Sequence, residues 1–141
     1  MKGTNVIVRG MVFLLAAVAL LIIAGPVIAQ EIEIGVSITP HHLSLSDGYI
    51  RFVRSQVSPL VPQGNPWAFS LAIEGEPDSA VSAIKVETHI ALHDSMMVFF
   101  DCDEVRDMLA GETMGEVNLI LSTFDAESNL YEGSDTIIVT D

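Results

Sequence analysis

Four histidines, one cysteine and an excess of carboxylates are the groups in this 141-residue chain able to do chemistry. His89 and His93 are four apart, which on a helix would put both rings on one face as a metal pair. Their surroundings alternate instead. Ile84, Val86, Thr88, Ile90 and Leu92 face one way, and Lys85, Glu87, His89, Ala91 and His93 the other, as in a strand. Four residues of strand span about 13 Å, too far for one ion bonded at about 2 Å to each ring nitrogen. His41 and His42 are adjacent and would point opposite ways in an extended chain. No zinc site is expected.

Asp101, Asp103, Glu104 and Asp107 cluster where a helix should begin, and backbone amides and the macrodipole favour negative charge there. The functional alternative is Ca²⁺, which takes about six to eight oxygens from a tight loop, and no D-x-D-x-D-G loop is present. Nucleophilic catalysis has no motif either: there is no G-x-S-x-G, H-E-x-x-H or glycine-rich phosphate loop. The expected catalytic, cofactor and metal residues are therefore none. Cys102 stands alone, so the core must hold without an internal disulfide. It reads as a small apolar residue beside the helix start, with pairing to another chain as the alternative. Met96 and Met97 read as core filling. Trp67 and Tyr131 are the residues that could stack on sugars, but Trp67 shares a face with Phe69 and Leu71, which favours packing.

The elements that would position these groups are mostly strands. Met96–Phe100 is a short apolar run, read as a strand buried on both faces. Asp101 follows as N-cap, with Glu104 at capping-box spacing. Val105, Met108 and Leu109 form a helix face, and Gly111 ends the helix. Val117, Leu119 and Leu121 alternate in the next strand. Asp125–Asn129 turns, and Glu132–Asp135 leads into a last strand, Thr136–Thr140. Upstream, Glu31–Ile38 alternates as one first strand, with Ile32, Ile34, Val36 and Ile38 on its dry face. Pro40 ends it. Leu43 and Leu45 alternate next, Asp47-Gly48 marks a turn, and Tyr49–Val53 is a weaker strand. Ser55–Pro66, with Pro59, Pro62, Gly64 and Pro66, reads as a long surface loop. Trp67, Phe69, Leu71 and Ile73 alternate as another strand, and Gly75–Ser79 turns. About seven strands and one short helix predict an all-β sandwich.

The N-terminus reads differently. Lys2 and Arg9 precede the uncharged stretch Gly10–Ala29, in which Gly25-Pro26 breaks the apolar run before Val27-Ile28-Ala29. This predicts a signal peptide over residues 1–29, with 30–141 as one sandwich domain. The alternative is an uncleaved anchor, since about 20 apolar residues suffice to span. Net charge is −13, and all 19 acidic residues lie after Ala29 against four basic ones. That field repels phosphate backbones and anionic membranes, so nucleic acid is excluded as a partner.

A resemblance adds to this. Met97-Val98-Phe99-Phe100-Asp101-Cys102, Val105 to Leu109, Val117 to Thr123 and Tyr131 to Val139 resemble a C-terminal pattern of exported prokaryotic β-sandwich modules, some of them beside dockerins. Its last strand reads F-E-G-S-D-T-I-R-V, here Tyr131-Glu132-Gly133-Ser134-Asp135-Thr136-Ile137-Ile138-Val139. Ile38-Thr39-Pro40-His41-His42-Leu43-Ser44-Leu45 is similar to the group's opening, and Trp67–Ile73 to its second strand. The group's acidic D-x-D-G-D-G stretch is replaced by Leu92-His93-Asp94-Ser95, and Gly48–Pro66 looks like an insertion. The resemblance implies an immunoglobulin-like β-sandwich, exported (periplasmic, cell-surface or secreted), with no enzymatic activity and no cofactor. The expected function is a structural or protein-binding module whose partner is another protein or a cell-surface component. The alternative is a carbohydrate-binding module using Trp67, Tyr49 or Tyr131. A membrane enters only if the N-terminal helix is retained.

Overall fold

The computed structural model describes residues 29–61, 68–89, 94–112 and 114–141. The expected signal peptide up to residue 28, Trp67, and residues 90–93 with His93 lie outside them. In chain order the strands are β1 (Glu31–Glu33), β2 (Gly35–Thr39), β3 (His42–Ser44), β4 (Phe52–Ser58), β5 (Ser70–Ile73), β6 (Glu76–Ser82), β7 (Lys85–His89) and β8 (Ser95–Asp101). The helix α1 (Cys102–Leu109) follows, then β9 (Gly115–Phe124) and β10 (Leu130–Thr140). One sheet runs β1-β10-β9-β5-β6, with β3 also on β10; the other runs β2-β4-β8-β7. In immunoglobulin letters the second is A-B-E-D, and the first is G-F-C with an added C′ strand. The fold is an immunoglobulin-like β-sandwich.

Alternation of apolar residues builds the core. Phe69, Leu71 and Ile73 from one sheet meet Val53, Val57, Met96, Val98 and Phe100 from the other, all buried, and Val117, Leu119, Leu121, Ile137 and Val139 complete the layer. Helix α1 closes one end against β4, β5, β6 and β8. Val105 and Leu109 point into the core and Asp107 into water, as its periodicity predicts. Asp101 caps the helix, accepting the N–H of Asp103 at 2.9 Å and of Glu104 at 3.2 Å. Gly111 does not end it through a left-handed cap: the last turn tightens, with Glu112 N–H on the Leu109 carbonyl at 2.9 Å. Among the described residues the left-handed glycines are Gly75 (φ 82°), in the β5–β6 turn, and Gly115 (φ 117°), at the start of β9.

Five expectations are corrected. Glu31–Ile38 is not one strand: it splits at Ile34, with β1 pairing β10 in parallel and β2 pairing β4 antiparallel in the other sheet. Ser55–Ser58 is strand rather than loop. β4 buries Val53, Ser55 and Val57 in strict alternation, and the small polar Ser55 masked that pattern. Gly75–Ser79 is mostly strand, because Glu74-Gly75 alone makes the turn and β6 begins at Glu76. Glu132–Asp135 lies inside an 11-residue strand rather than leading into one. β8 buries Met96, Val98 and Phe100, but Met97 and Phe99 are half-exposed, so only one of its faces is dry.

Candidate functional site

Three constructions use the polar groups that the fold gathers. The first is a seam on β10. The N-terminal segment runs beside β10 at β1, crosses to the other sheet as β2, and returns at β3. Ile34 N–H still bonds the Glu132 carbonyl at 3.0 Å, and contact with β10 resumes where Ile138 N–H reaches the His41 carbonyl at 2.8 Å. Between these points Asp135 stands in for the missing strand. Its Oδ2 accepts Ile38 N–H at 2.7 Å and its Oδ1 accepts Thr136 N–H at 2.9 Å. Gly133 is required at the crossing, because a Cβ there would lie 2.6 Å from Val36 Cγ2 and against the Ile34 carbonyl. The Gly-Ser-Asp of the last strand is thus a joint between the sheets.

The second is the β9–β10 turn. Asp125 accepts from Glu127 N–H, Asn129 N–H and Asn129 Nδ2, each at 2.9 Å, and from the Tyr131 hydroxyl at 3.1 Å. The Asn129 side chain, with the two N–H groups and the Tyr131 hydroxyl, holds its carboxyl below the usual aspartate range. Burial and then Asp125 push the Tyr131 hydroxyl up. Tyr131 is 9% exposed, with its hydroxyl on Asp125.

Third is Arg106, which no sequence motif singles out. Only 8% exposed, it reaches out of α1 to the Ser44 carbonyl through Nε at 3.1 Å, to Asp103 through Nη1 at 3.1 Å, and to the Asp47 carbonyl through Nη2. It ties down the loop after β3. A weaker signal was present: an arginine one position from Val105 on a two-turn helix must lie at the edge of the buried face. Beside it, burial pushes the Cys102 thiol up, with Arg106 pulling the other way.

The expected chemical groups are dispersed. His41 and His42 do not point apart: the chain bends at His41, only His42 is in β3, and the exposed rings meet edge to face at 5.6 Å. His89 lies on β7, at the edge of its sheet. Met96 is buried and its sulfur accepts Val61 N–H at 3.3 Å. Among the described residues no three His, Cys, Asp or Glu side chains converge as a metal set. No helix among them is long and apolar enough to cross a membrane.

Two surfaces remain. On the outer face of the β10-β9-β5-β6 side, the rows Glu132–Ser122–Ser70 and Ser134–Ile120–Ala72 carry mostly small side chains, five of the six half-buried and Ser134 exposed. Beside them an open cleft of about 450 Å³ is lined by Glu31, Glu33, Glu74 and Glu132. On the outer face of the other sheet, Arg54, Phe99 and Lys85 stand in one row. Phe52 meets Phe99 edge to face at 6.2 Å, and Lys85 Nζ sits 5.4 Å from that ring's centre while pairing with Glu87.

No protein-family model and no curated protein matches the chain. Among solved structures it is similar to a bacterial immunoglobulin-like domain from the M. primoryensis ice-binding adhesin, at 18% identity over 79% of this chain and 98% of that one, with a TM-score of 0.34.

Proposed function

We propose that this chain is a non-catalytic module, exported, and used for structure or for holding another protein. One observation supports this above the rest: the charged side chains drawn into the frame all hold main chain. Asp101 caps a helix, Asp125 closes a turn, Asp135 fills a seam and Arg106 ties a loop. A catalytic site needs polar groups aimed at a reacting atom instead. Export rests on the basic start, apolar run and Val27-Ile28-Ala29 of the sequence. The outer face around Ile120 and Ser122 is where a protein partner would lie. The carbohydrate reading is supported by Tyr49, 94% exposed on the loop after β3, and less by Tyr131, which is 9% exposed, while Trp67 lies outside the described residues.

Capture from exported material with the purified chain as bait tests this. A protein retained by the parent chain and lost with Ile120→Arg, at unchanged melting temperature, is the expected result. Retardation in polysaccharide-loaded gels, abolished by Tyr49→Ala, would favour the carbohydrate reading in its place.

A further inference from the structure

The direction of the first and last strands has a mechanical meaning. β1 and β3 both run parallel to β10, β1 beside Leu130–Glu132 and β3 beside Ile138–Thr140. Residue 30 therefore enters at one end of an 11-residue strand and residue 141 leaves at the other, about 36 Å apart at about 3.3 Å per residue. Pulling these two points apart slides β1 backwards and β10 forwards along their own axes. The bonds that resist lie across that motion. They are Leu130 N–H to the Gln30 carbonyl at 2.8 Å, Ile34 N–H to Glu132 at 3.0 Å, Ile138 N–H to His41 at 2.8 Å and Leu45 N–H to Thr140 at 2.9 Å. Within each patch they are loaded in shear, across the pulling direction rather than along it.

Each end has its own patch: β1 guards the N-terminal point of load and β3 the C-terminal one. The seam joins the patches. Asp135 grips the crossing strand at Ile38, and Gly133 lets that strand lie against β10 without a gap. Pulling Met114 away from Asp141 has a different geometry. Gly115 is paired with Val139 at the open end of the antiparallel β9–β10 ladder, so those bonds would break in sequence from that end, as in a zip.

We infer that this molecule carries tension between residue 30 and residue 141, and that the Gly133–Asp135 seam holds the crossing strand under load. The inference extends the structural half of the proposed function and does not depend on any protein being captured, so either can fail alone.

Single-molecule force spectroscopy on the full chain decides it, because forced unfolding reads the barrier along the pulled direction. Handles at Met1 and Asp141 are compared with handles at Met114→Cys and Asp141, Cys102 being buried and out of reach of the label. The expected result is an end-to-end force several-fold above the 114–141 force. Equal forces, or a weaker end-to-end direction, would overturn the inference with no destabilised variant involved. Asp135→Asn, which keeps the shape and removes one carboxylate oxygen, should lower the end-to-end force and leave the 114–141 force unchanged. An equal fall in both would mean that the seam supports general stability and bears no directional load.

Discussion

At the scale of single residues, proton uptake separates two carboxyls with opposite effects. Asp125 titrates below its ordinary value near 3.8 because Asn129 and its neighbours donate to the charged form. A depressed carboxyl stabilises the fold above the unfolded value, and that stability is lost as pH falls through the folded one. Asp125→Ala should therefore lower the melting temperature at pH 7, with the deficit closing as pH falls below the ordinary aspartate range. Glu112 is the reverse case. Its carboxyl meets that of Glu76, and the shared hydrogen bond raises it above the ordinary 4.5. A raised carboxyl helps the fold below the unfolded value and loses that help as pH rises through the folded one. Glu112→Gln keeps a donor facing Glu76 at every pH. It should melt above the parent at pH 7 and alongside it near pH 3. Calorimetry at the two pH values gives both comparisons, and a Glu112→Gln variant that melts lower at pH 7 would refute the contact. Neither effect was legible in the sequence, because a turn aspartate and one carboxyl among 19 acidic residues look alike until their neighbours are placed.

At the scale of elements, the helix and the seam make separate demands. Leu109 is fully buried, so Leu109→Ala should cost about 2–5 kcal/mol. Asp101→Ala, which removes the cap, should cost about 1 kcal/mol. Asp107→Ala, at an exposed position, should stay within about 0.5 kcal/mol. Urea melts set the order, and a harmless Leu109→Ala would detach α1 from the core. Gly133→Ala drives a methyl into Ile34 and Val36, so β1 and β2 must move off β10. Faster amide exchange at Ile34 and Ile38 than at Leu119 would report it, and unchanged exchange would mean that the crossing has slack. The helix was readable because its cap, its apolar spacing and its length all agree. The split of Glu31–Ile38 was not. Both sheets face one core, so Ile32, Ile34, Val36 and Ile38 keep the same inward parity whichever sheet holds them, and alternation is blind to the change of partner. For the same reason Gly133 and Asp135 looked like turn residues, when they serve a strand that a second strand crosses.

At the scale of the whole molecule, two groups of charge among the described residues lie on opposite broad faces. Arg54 and Lys85 stand on the outer side of β4 and β7, with Arg51 just before β4, while Arg106 is enclosed. Glu31, Glu33, Glu74 and Glu132 gather on the opposite side. These groups give the described residues a glutamate-rich side and a side that carries Arg54 and Lys85, and near a charged boundary the molecule should turn before it touches. On a cationic surface it should land on the glutamate side and leave the Lys85 amine open to acylating reagents. On an anionic one, if it adsorbs at all, Lys85 should be shielded. The preference should fade by about 1 M salt, where the screening length drops to about 3 Å. Mass spectrometry of Lys85 after labelling on each surface measures it, and equal labelling on both would show that the molecule lands without a preferred side. A layer of such molecules on one surface would show a single face to whatever approached it.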